Sequence, residues 1–232
     1  MKIIRNLNKH LRKKNRMDET CIVITGLINE EYVSYLLETY KNVKNKIIST
    51  WLDQDKILIE MLRNNKFIIV QDNFPINNTQ TNYQSKAIRN GCLKAKELGY
   101  KYVIRLRTDM ISDSIVLFIQ LLEKEFFPKE KLVSFCGIET QDGVYFYDIM
   151  IGGRAEQIFE FFKNEQSIED TRYIEKFLLE SYLDKMNITR EDVKGIFNFC
   201  FLHCCLLEIE FFLLKYKFNI INEYCTKSFV WI

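Results

Sequence analysis

The chain has 232 residues, of which 47% are hydrophobic and 28% are charged, a balance typical of a soluble globular protein with a large core. Its 33 basic and 31 acidic residues leave a formal net charge of +2, so no global positive field indicates a nucleic-acid partner. Only eight glycines and two prolines occur, which argues against a disordered linker and favours a single domain.

The first sixteen residues are basic, with seven Lys or Arg between Lys2 and Arg16 and no acidic residue. They contain no apolar stretch long enough for a secretory signal, so we expect a cytoplasmic protein. A short cationic terminus is usually solvated, although it could make a peripheral contact with an anionic membrane surface. We therefore assign residues 1–18 to a basic N-terminal arm and residues 19–232 to the folded domain.

The first half of that domain alternates between two patterns. A continuous apolar run, typical of a strand buried on both faces, occurs at residues 21–26. Residues 46–51 and 66–71 are predicted to form the second and third strands. Apolar positions at helical spacing occur at residues 30–41, 56–64 and from residue 82 onward. Strict alternation of strand and helix predicts an α/β domain with a mostly parallel sheet and helices on both faces.

A fourth strand, residues 100–108, carries an acidic residue at its carboxyl end. Because side chains alternate along a strand, Arg105, Arg107 and Asp109 should share one face. Guanidinium groups bind phosphate, and a carboxylate binds a divalent metal or a sugar hydroxyl, so these residues fit a ligand cleft. An internal ion pair of Arg105 or Arg107 with Asp109 or Glu97 explains the pattern equally well.

The carboxyl ends of parallel strands open on one crevice, so we expect the polar residues at these ends to lie together. An aromatic ring, acids and cations around one mouth suit a ligand with a flat base, hydroxyls and a diphosphate. No dinucleotide-binding glycine motif or P-loop occurs, which argues against oxidoreductases and P-loop NTPases. The predicted crevice residues at the strand ends and on the helix after the third strand are Thr25, Gly26, Trp51, Asp72, Lys86, Arg89, Asn90, Lys94, Arg107 and Asp109.

The seven cysteines lie in apolar surroundings without a Cys-x-x-Cys pair, which predicts reduced core residues. Cys200, His203 and Cys204 could share a helical face as zinc ligands, but no fourth ligand is near, so core packing is favoured. The surrounding uncharged run, residues 195–207, has thirteen residues, fewer than the roughly 20 that span a bilayer. We expect residues 196–214 to form a helix packed on the sheet.

Four short motifs of the chain follow one another in the order found in a known family. They are Ile-Val-Ile-Thr-Gly at 22–26, Ile-Ser-Thr-Trp at 48–51, Asn82-x-Gln84 followed by Gly91, and Lys-Tyr-Val-Ile-Arg-Leu-Arg-Thr-Asp at 101–109. Over about residues 20–185 the chain resembles the WavE-type lipopolysaccharide-synthesis glycosyltransferases. The resemblance implies a GT-A-like, Rossmann-type fold, with residues 19–110 as the nucleotide-sugar half and residues 111–232 as the acceptor half with C-terminal helices.

The same resemblance implies a nucleotide-sugar donor, a glycan or glycolipid acceptor, and Mn²⁺ or Mg²⁺ held by a DxD-like element. Here that element is residues 107–109, and only Asp109 matches because Arg107 stands where the common motif has its first Asp. Gln84 joins the nucleotide-sugar-binding residues by the same resemblance. Tyr83 is a second departure, since the family tends to have Arg before this Gln.

The catalytic candidates come from two downstream segments that are similar to the family. Residues 145–153 read as a strand with an inward-facing Asp148 before a Gly-Gly turn, and residues 175–185 as a helix that begins with Glu175. An inverting transfer needs a base for the acceptor hydroxyl, and we assign Asp148, with Asp170 or Glu175 as alternatives. Asp148 could instead hydrogen-bond the acceptor or backbone, and Glu175 could cap its helix.

Two other functions remain open. A sugar nucleotidyltransferase would use the same sheet, but it normally has a glycine-rich loop with Arg and Lys after the first strand, and residues 26–30 lack one. A non-catalytic protein that binds a sugar nucleotide or polyanion is supported by Arg107 in place of an acid and by the basic arm.

Overall fold

A seven-stranded sheet forms the centre of the structure. The computed structural model describes residues 19–77, 79–135, 137–140, 143–146, 149–189, 196–200, 207, 209, 212–213 and 218–219. Twelve strands are found among them: β1 Thr20–Thr25, β2 Lys46–Trp51, β3 Ile68–Asp72, β4 Tyr102–Arg107, β5 Met110–Ile111, β6 Leu132–Ser134, β7 Gly137–Thr140, β8 Gly143–Phe146, β9 Ile151–Arg154, β10 Phe197–Phe199, β11 Phe212–Leu213 and β12 Phe218–Asn219.

Six α-helices connect or cover these strands within the described residues. They are α1 Glu30–Thr39, α2 Lys56–Asn64, α3 Gln80–Glu97, α4 Ile115–Leu121, α5 Ala155–Phe161 and α6 Ile174–Met186. A π-helical turn, Leu122–Phe126, and a 3₁₀ turn, Phe127–Lys129, extend α4. None of the described helices is both long and apolar enough to cross a membrane.

Local sequence accounts for the helix ends around the site. The side chains of Asn29, Asp55 and Thr79 accept hydrogen bonds from backbone N–H groups in the first turns of α1, α2 and α3. These caps satisfy donors that a helix N-terminus leaves without intrahelical partners. At the other end of α3, Gly99 has φ +83°, and the N–H groups of Gly99 and Tyr100 donate to the carbonyls of Lys96 and Ala95. This Schellman ending turns the chain directly into β4.

The sheet order is β10-β6-β9-β4-β1-β2-β3, and β4, β1, β2 and β3 are mutually parallel. From β1 the chain builds outward through β2 to β3, and then returns to place β4 on the opposite side of β1. A topological switch point therefore lies between β1 and β4. Only β9 is antiparallel to its neighbours β4 and β6. The predicted α/β domain with a mostly parallel sheet and helices on both faces is confirmed.

Two apolar cores cover the two faces of the sheet. On the first face, side chains such as Ile24 and Leu106 pack with α1, α2 and α4. On the second face, Val23 and Val103 pack with α3, α5 and α6. Helix α3 lies close against the second face at Gly91, where a Cβ atom would lie 2.2 Å from Val23 Cγ1. A larger residue at this position would push α3 off the sheet.

The second half of the chain differs from the sequence prediction in two places. The predicted strand over residues 145–153 is interrupted: β8 pairs with β7 in a separate hairpin, while β9 joins the main sheet. The predicted helix over residues 196–214 is wrong where the structure describes it, because Phe197–Phe199 forms β10 beside β6 and Phe212–Leu213 forms β11 beside β5. Phenylalanine-rich segments suit strands as well as buried helices, so the apolar run alone did not distinguish them.

Candidate functional site

The parallel strands bring the predicted residues to one edge. Thr25 is the register partner of Arg107 on β4, and Trp51 on β2 is the partner of Asp72 on β3. Hydrogen bonds continue between the segments that follow the strands. The Leu52 N–H donates to the Asp72 carbonyl, and the Ile28 N–H donates to the side-chain Oε1 of Gln54. The carboxyl ends of β4, β1, β2 and β3 thus form one continuous rim, as the sequence predicts.

Gly26 sits at the switch point and requires the absence of a side chain. Its φ is +141°, and a Cβ atom there would lie 2.4 Å from Thr108 Oγ1. Its carbonyl accepts a hydrogen bond of 2.8 Å from Thr50 Oγ1 on β2. The loop after β1 is therefore held close to the residue that follows β4, and backbone rather than side chain faces this part of the rim.

Arg107 and Asp109 form a bidentate ion pair. Arg107 Nε donates to Asp109 Oδ1 at 2.8 Å, and Arg107 Nη2 donates to Asp109 Oδ2 at 2.9 Å. The carboxylate is buried, whereas 19% of the Arg107 side chain remains exposed. This is the internal ion pair that the sequence pattern left open. It places a fixed, partly accessible guanidinium at the switch point, where an anion could share it.

The fit to a divalent cation follows from the same pair. Both Asp109 oxygens accept hydrogen bonds from Arg107, so a cation would have to compete with the guanidinium. Within the described parts of the chain, no cluster of three or more His, Cys, Asp or Glu could hold a metal ion. The described residues therefore do not form a ready metal site. Of the possible zinc ligands, Cys200 is buried, and His203 and Cys204 lie outside the described residues.

Three aromatic rings pack together at the end of β2. The Trp51 and Phe74 ring centroids are 4.9 Å apart with an interplanar angle of 33°. Tyr83 on α3 packs edge-on against both, with centroids 5.7 Å from Trp51 and 5.4 Å from Phe74. Trp51 is buried and Phe74 is 39% exposed, so the inner ring of the cluster is fixed in the core and the outer ring is accessible to solvent. Such a surface can stack against a flat base.

Asp72 forms a polar cluster with α3 beside these rings. Its Oδ2 accepts a hydrogen bond of 3.0 Å from Asn90 and lies 3.2 Å from Lys86 Nζ, and its Oδ1 accepts one of 2.7 Å from Asn73 N. Partial burial raises the pKa of Asp72, but the bonds from Asn90, Asn73 and Lys86 outweigh it and hold the pKa below its usual range. The carboxylate stays ionised at neutral pH and can accept bonds from ligand hydroxyls.

The structure also shows hydrogen bonds of Arg105 near the site that the sequence did not predict. Arg105 is buried under the rim, where Nε donates to Thr25 Oγ1 and Nη2 donates to Gln84 Oε1, each at 3.1 Å. Gln84 was expected at the site by family resemblance, but its bond to Arg105 was not. The available signal was the alternation that placed Arg105 on the face of Arg107.

Two further predicted residues support a loop rather than the rim. Arg89 donates to the Lys163 carbonyl at 2.8 Å and pairs with Glu165 at 3.1 Å, beyond the end of α5. Asp170 binds Arg172 through both carboxylate oxygens, and these hydrogen bonds hold the pKa of Asp170 well below its usual range. A strongly acidic carboxyl group is a poor general base.

The remaining candidates have different outcomes. Asp148, assigned as the base, lies outside the described residues. Glu175 is in the first turn of α6, where its negative charge interacts favourably with the helix dipole. Reciprocal bonds of 2.8 Å between the Asn82 side chain and the Gln166 backbone join the start of α3 to the loop before α6. The loop that contains Asp170 therefore lies next to the N-terminal end of α3, which borders the rim.

No protein-family model matches the chain, and no curated protein matches it. Among solved structures, it is similar to a cytidylyltransferase from Leptospira borgpetersenii serovar Hardjo-bovis, with 11% identity, 73% of each chain covered and a TM-score of 0.45. A putative glucose-1-phosphate thymidylyltransferase from Bacillus anthracis in complex with a sucrose gives 9% identity, coverage of 78% of this chain and 85% of that chain, and a TM-score of 0.45.

A third similar structure is HddC from Yersinia pseudotuberculosis complexed with GMP-PN. It has 14% identity, coverage of 60% of this chain and 78% of that chain, and a TM-score of 0.38. At these identities and TM-scores, the similarities carry no information about activity.

Proposed function

We propose that this chain is a glycosyltransferase that binds a nucleotide sugar at the rim and transfers the sugar to a glycan or glycolipid acceptor. The observation that carries the proposal is the switch point between β1 and β4, where Gly26 and the Arg107–Asp109 pair lie side by side. In open α/β sheets, ligands bind outside the carboxyl ends of the strands at such a point.

The groups along the rim match the parts of a nucleotide sugar. The exposed ring of Phe74, supported by Trp51, offers a stacking surface for the base. The ionised Asp72 offers an acceptor for ribose hydroxyls, and the partly exposed guanidinium of Arg107 offers a positive charge for the diphosphate. The resemblance to WavE-type glycosyltransferases, which rests on the motifs at residues 22–26, 48–51, 82–91 and 101–109, supports the same assignment.

The base and the metal remain predictions. Asp148 is our candidate for removing the acceptor proton, with Glu175 as the alternative, and the ion-paired Asp170 is the least suited of the three. A Mn²⁺ or Mg²⁺ ion, if required, would have Asp109 as its protein ligand and would supply Lewis acidity at the leaving diphosphate. Such an ion would have to displace the Arg107 guanidinium, which holds both Asp109 oxygens.

Calorimetry with a panel of UDP- and GDP-sugars, in Mn²⁺ and in EDTA, followed by a transfer assay with the sugar that binds, tests the proposal. We expect saturable binding and sugar transfer. Asp148→Asn should leave donor binding intact and lower turnover by roughly 10²–10⁴, the usual share of general-base catalysis. Glu60→Gln on the exposed side of α2 is the matched control. Full turnover in Asp148→Asn would remove Asp148 from the chemistry.

The second candidate is a non-catalytic sugar-nucleotide-binding protein, which the Arg107–Asp109 pair favours because it ties up the carboxylate expected to bind metal. Donor binding with neither sugar transfer to any acceptor nor donor hydrolysis would support this candidate. Release of pyrophosphate from a nucleoside triphosphate and a sugar 1-phosphate would instead identify a nucleotidyltransferase.

A further inference from the structure

Arg105 is the largest fully buried side chain of the described structure, with 2% exposure. It lies on the second face of the sheet, between the carboxyl ends of the strands and the N-terminal half of α3. A buried guanidinium loses its hydration, and an apolar side chain of similar volume at such a position is often neutral or stabilising. Packing alone therefore does not account for arginine here.

Its hydrogen bonds connect two separate elements of the rim. Nε donates to Thr25 Oγ1 and Nη2 donates to Gln84 Oε1, both at 3.1 Å. Thr25 in turn donates to the Leu106 carbonyl at 3.4 Å, which fixes the side chain against β4. Because a guanidinium is planar, the two donors fix the direction of Thr25 and of Gln84 at the same time.

Both partners are adjacent in sequence to groups of the proposed nucleotide site. Thr25 immediately precedes Gly26, where a Cβ atom would lie 2.4 Å from Thr108 Oγ1, so the loop after β1 runs close to Thr108. Gln84 immediately follows Tyr83, which packs against the rings of Trp51 and Phe74. A shift of α3 relative to β1 would therefore change the distance between the diphosphate end of the rim and the base end.

We propose that Arg105 is a positioning residue that holds α3 and the end of β1 at the separation a nucleoside diphosphate requires. This inference rests on the proposed function. Arg105 touches no ligand itself, since it is buried below the rim, and acts through Thr25 and Gln84. Lysine at this position would keep the positive charge but not the planar pair of donors, so it would not restore the spacing.

Calorimetry with UDP and GDP on wild type, Arg105→Met, Arg105→Lys and the surface control Arg63→Met tests this role. We expect Kd to rise by about tenfold or more in both Arg105 variants, the loss for a hydrogen bond to a charged group, and to stay unchanged in the control. Circular dichroism confirms folding. Wild-type affinity in folded Arg105→Met would overturn the proposal, and full rescue by Arg105→Lys would show that charge rather than positioning is the cause.

A double-mutant cycle keeps the test decisive if the Arg105 variants do not fold. Thr25→Val and Gln84→Met each remove one acceptor, and their effects on Kd should be coupled because both act through one guanidinium. Additive effects would overturn the positioning role. If wild type binds neither UDP nor GDP, the proposed function is wrong and this role is wrong with it; if wild type binds and the cycle is additive, only the positioning role is wrong.

Discussion

The two faces of the sheet differ near the carboxyl ends of its strands. On the first face, β1 and β4 stay apolar to the rim with Ile24 and Leu106. On the second face, Val23 and Val103 give way to Thr25, Arg105 and Arg107 within the same strands. Alternate residues of one strand thus serve different purposes. The apolar residues of the first face are those that core packing requires. The polar residues at the end of the second face are not explained by folding stability alone.

Leu106 and Arg107 are sequence neighbours whose side chains lie on opposite faces of β4, so changing each one separately tests whether the two faces have different roles. Leu106→Ala removes a fully buried side chain from the first face, and we expect it to lower the free energy of unfolding by about 2–5 kcal/mol. Nucleotide affinity of the folded fraction should not change. Urea denaturation and calorimetry measure the two quantities, with Leu98→Ala, at a 42% exposed position, as the control. A loss of affinity without a loss of stability would contradict the division between the faces.

Arg107→Ala is the matching change on the second face. We expect it to weaken UDP or GDP binding by about 1.5–3 kcal/mol, the range for a hydrogen bond to a charged group. It also removes the guanidinium from the buried Asp109 carboxylate, so thermal unfolding must be recorded and binding measured well below the midpoint. Arg63→Ala on α2 is the control. An unchanged dissociation constant in the folded variant would remove Arg107 from the site.

A smaller effect should come from the loop that flanks the second face. Hydrogen bonds from Arg172 lower the pKa of Asp170, so its ionised form stabilises the fold above the unfolded-state pKa of about 4. Asp170→Asn should therefore lower the free energy of unfolding by about 1–2 kcal/mol at pH 7. The difference from wild type should shrink as the pH falls below about 4, through the folded-state pKa.

Urea denaturation at pH 7 and pH 3 checks this prediction. Glu165→Gln, which changes a carboxylate with a 52% exposed side chain in the same loop, is the control. A destabilisation of the same size at both pH values would mean that Asp170 acts through shape rather than charge.

The order and type of the first seven elements were predictable from the sequence. The helix Lys56–Asn64 and the strand Lys46–Trp51 have the predicted bounds, and the predicted bounds of the other five elements differ from the observed ones by at most two residues. Local signals decided them, because caps at Asn29, Asp55 and Thr79 and continuous apolar runs are short-range features. Parallel pairing then required that Thr25, Trp51, Asp72 and Arg107 meet at one edge.

The hydrogen-bond partners of these residues depend on how the strands and helices pack in three dimensions. Arg107 binds Asp109, Arg105 reaches Thr25 and Gln84, and Asp72 binds Asn90. Most of these contacts join residues that are distant in sequence, so no local pattern specifies them. Likewise, Phe197–Phe199 becomes a strand because the edge of β6 is available to pair with it, a fact that exists only after the sheet has formed.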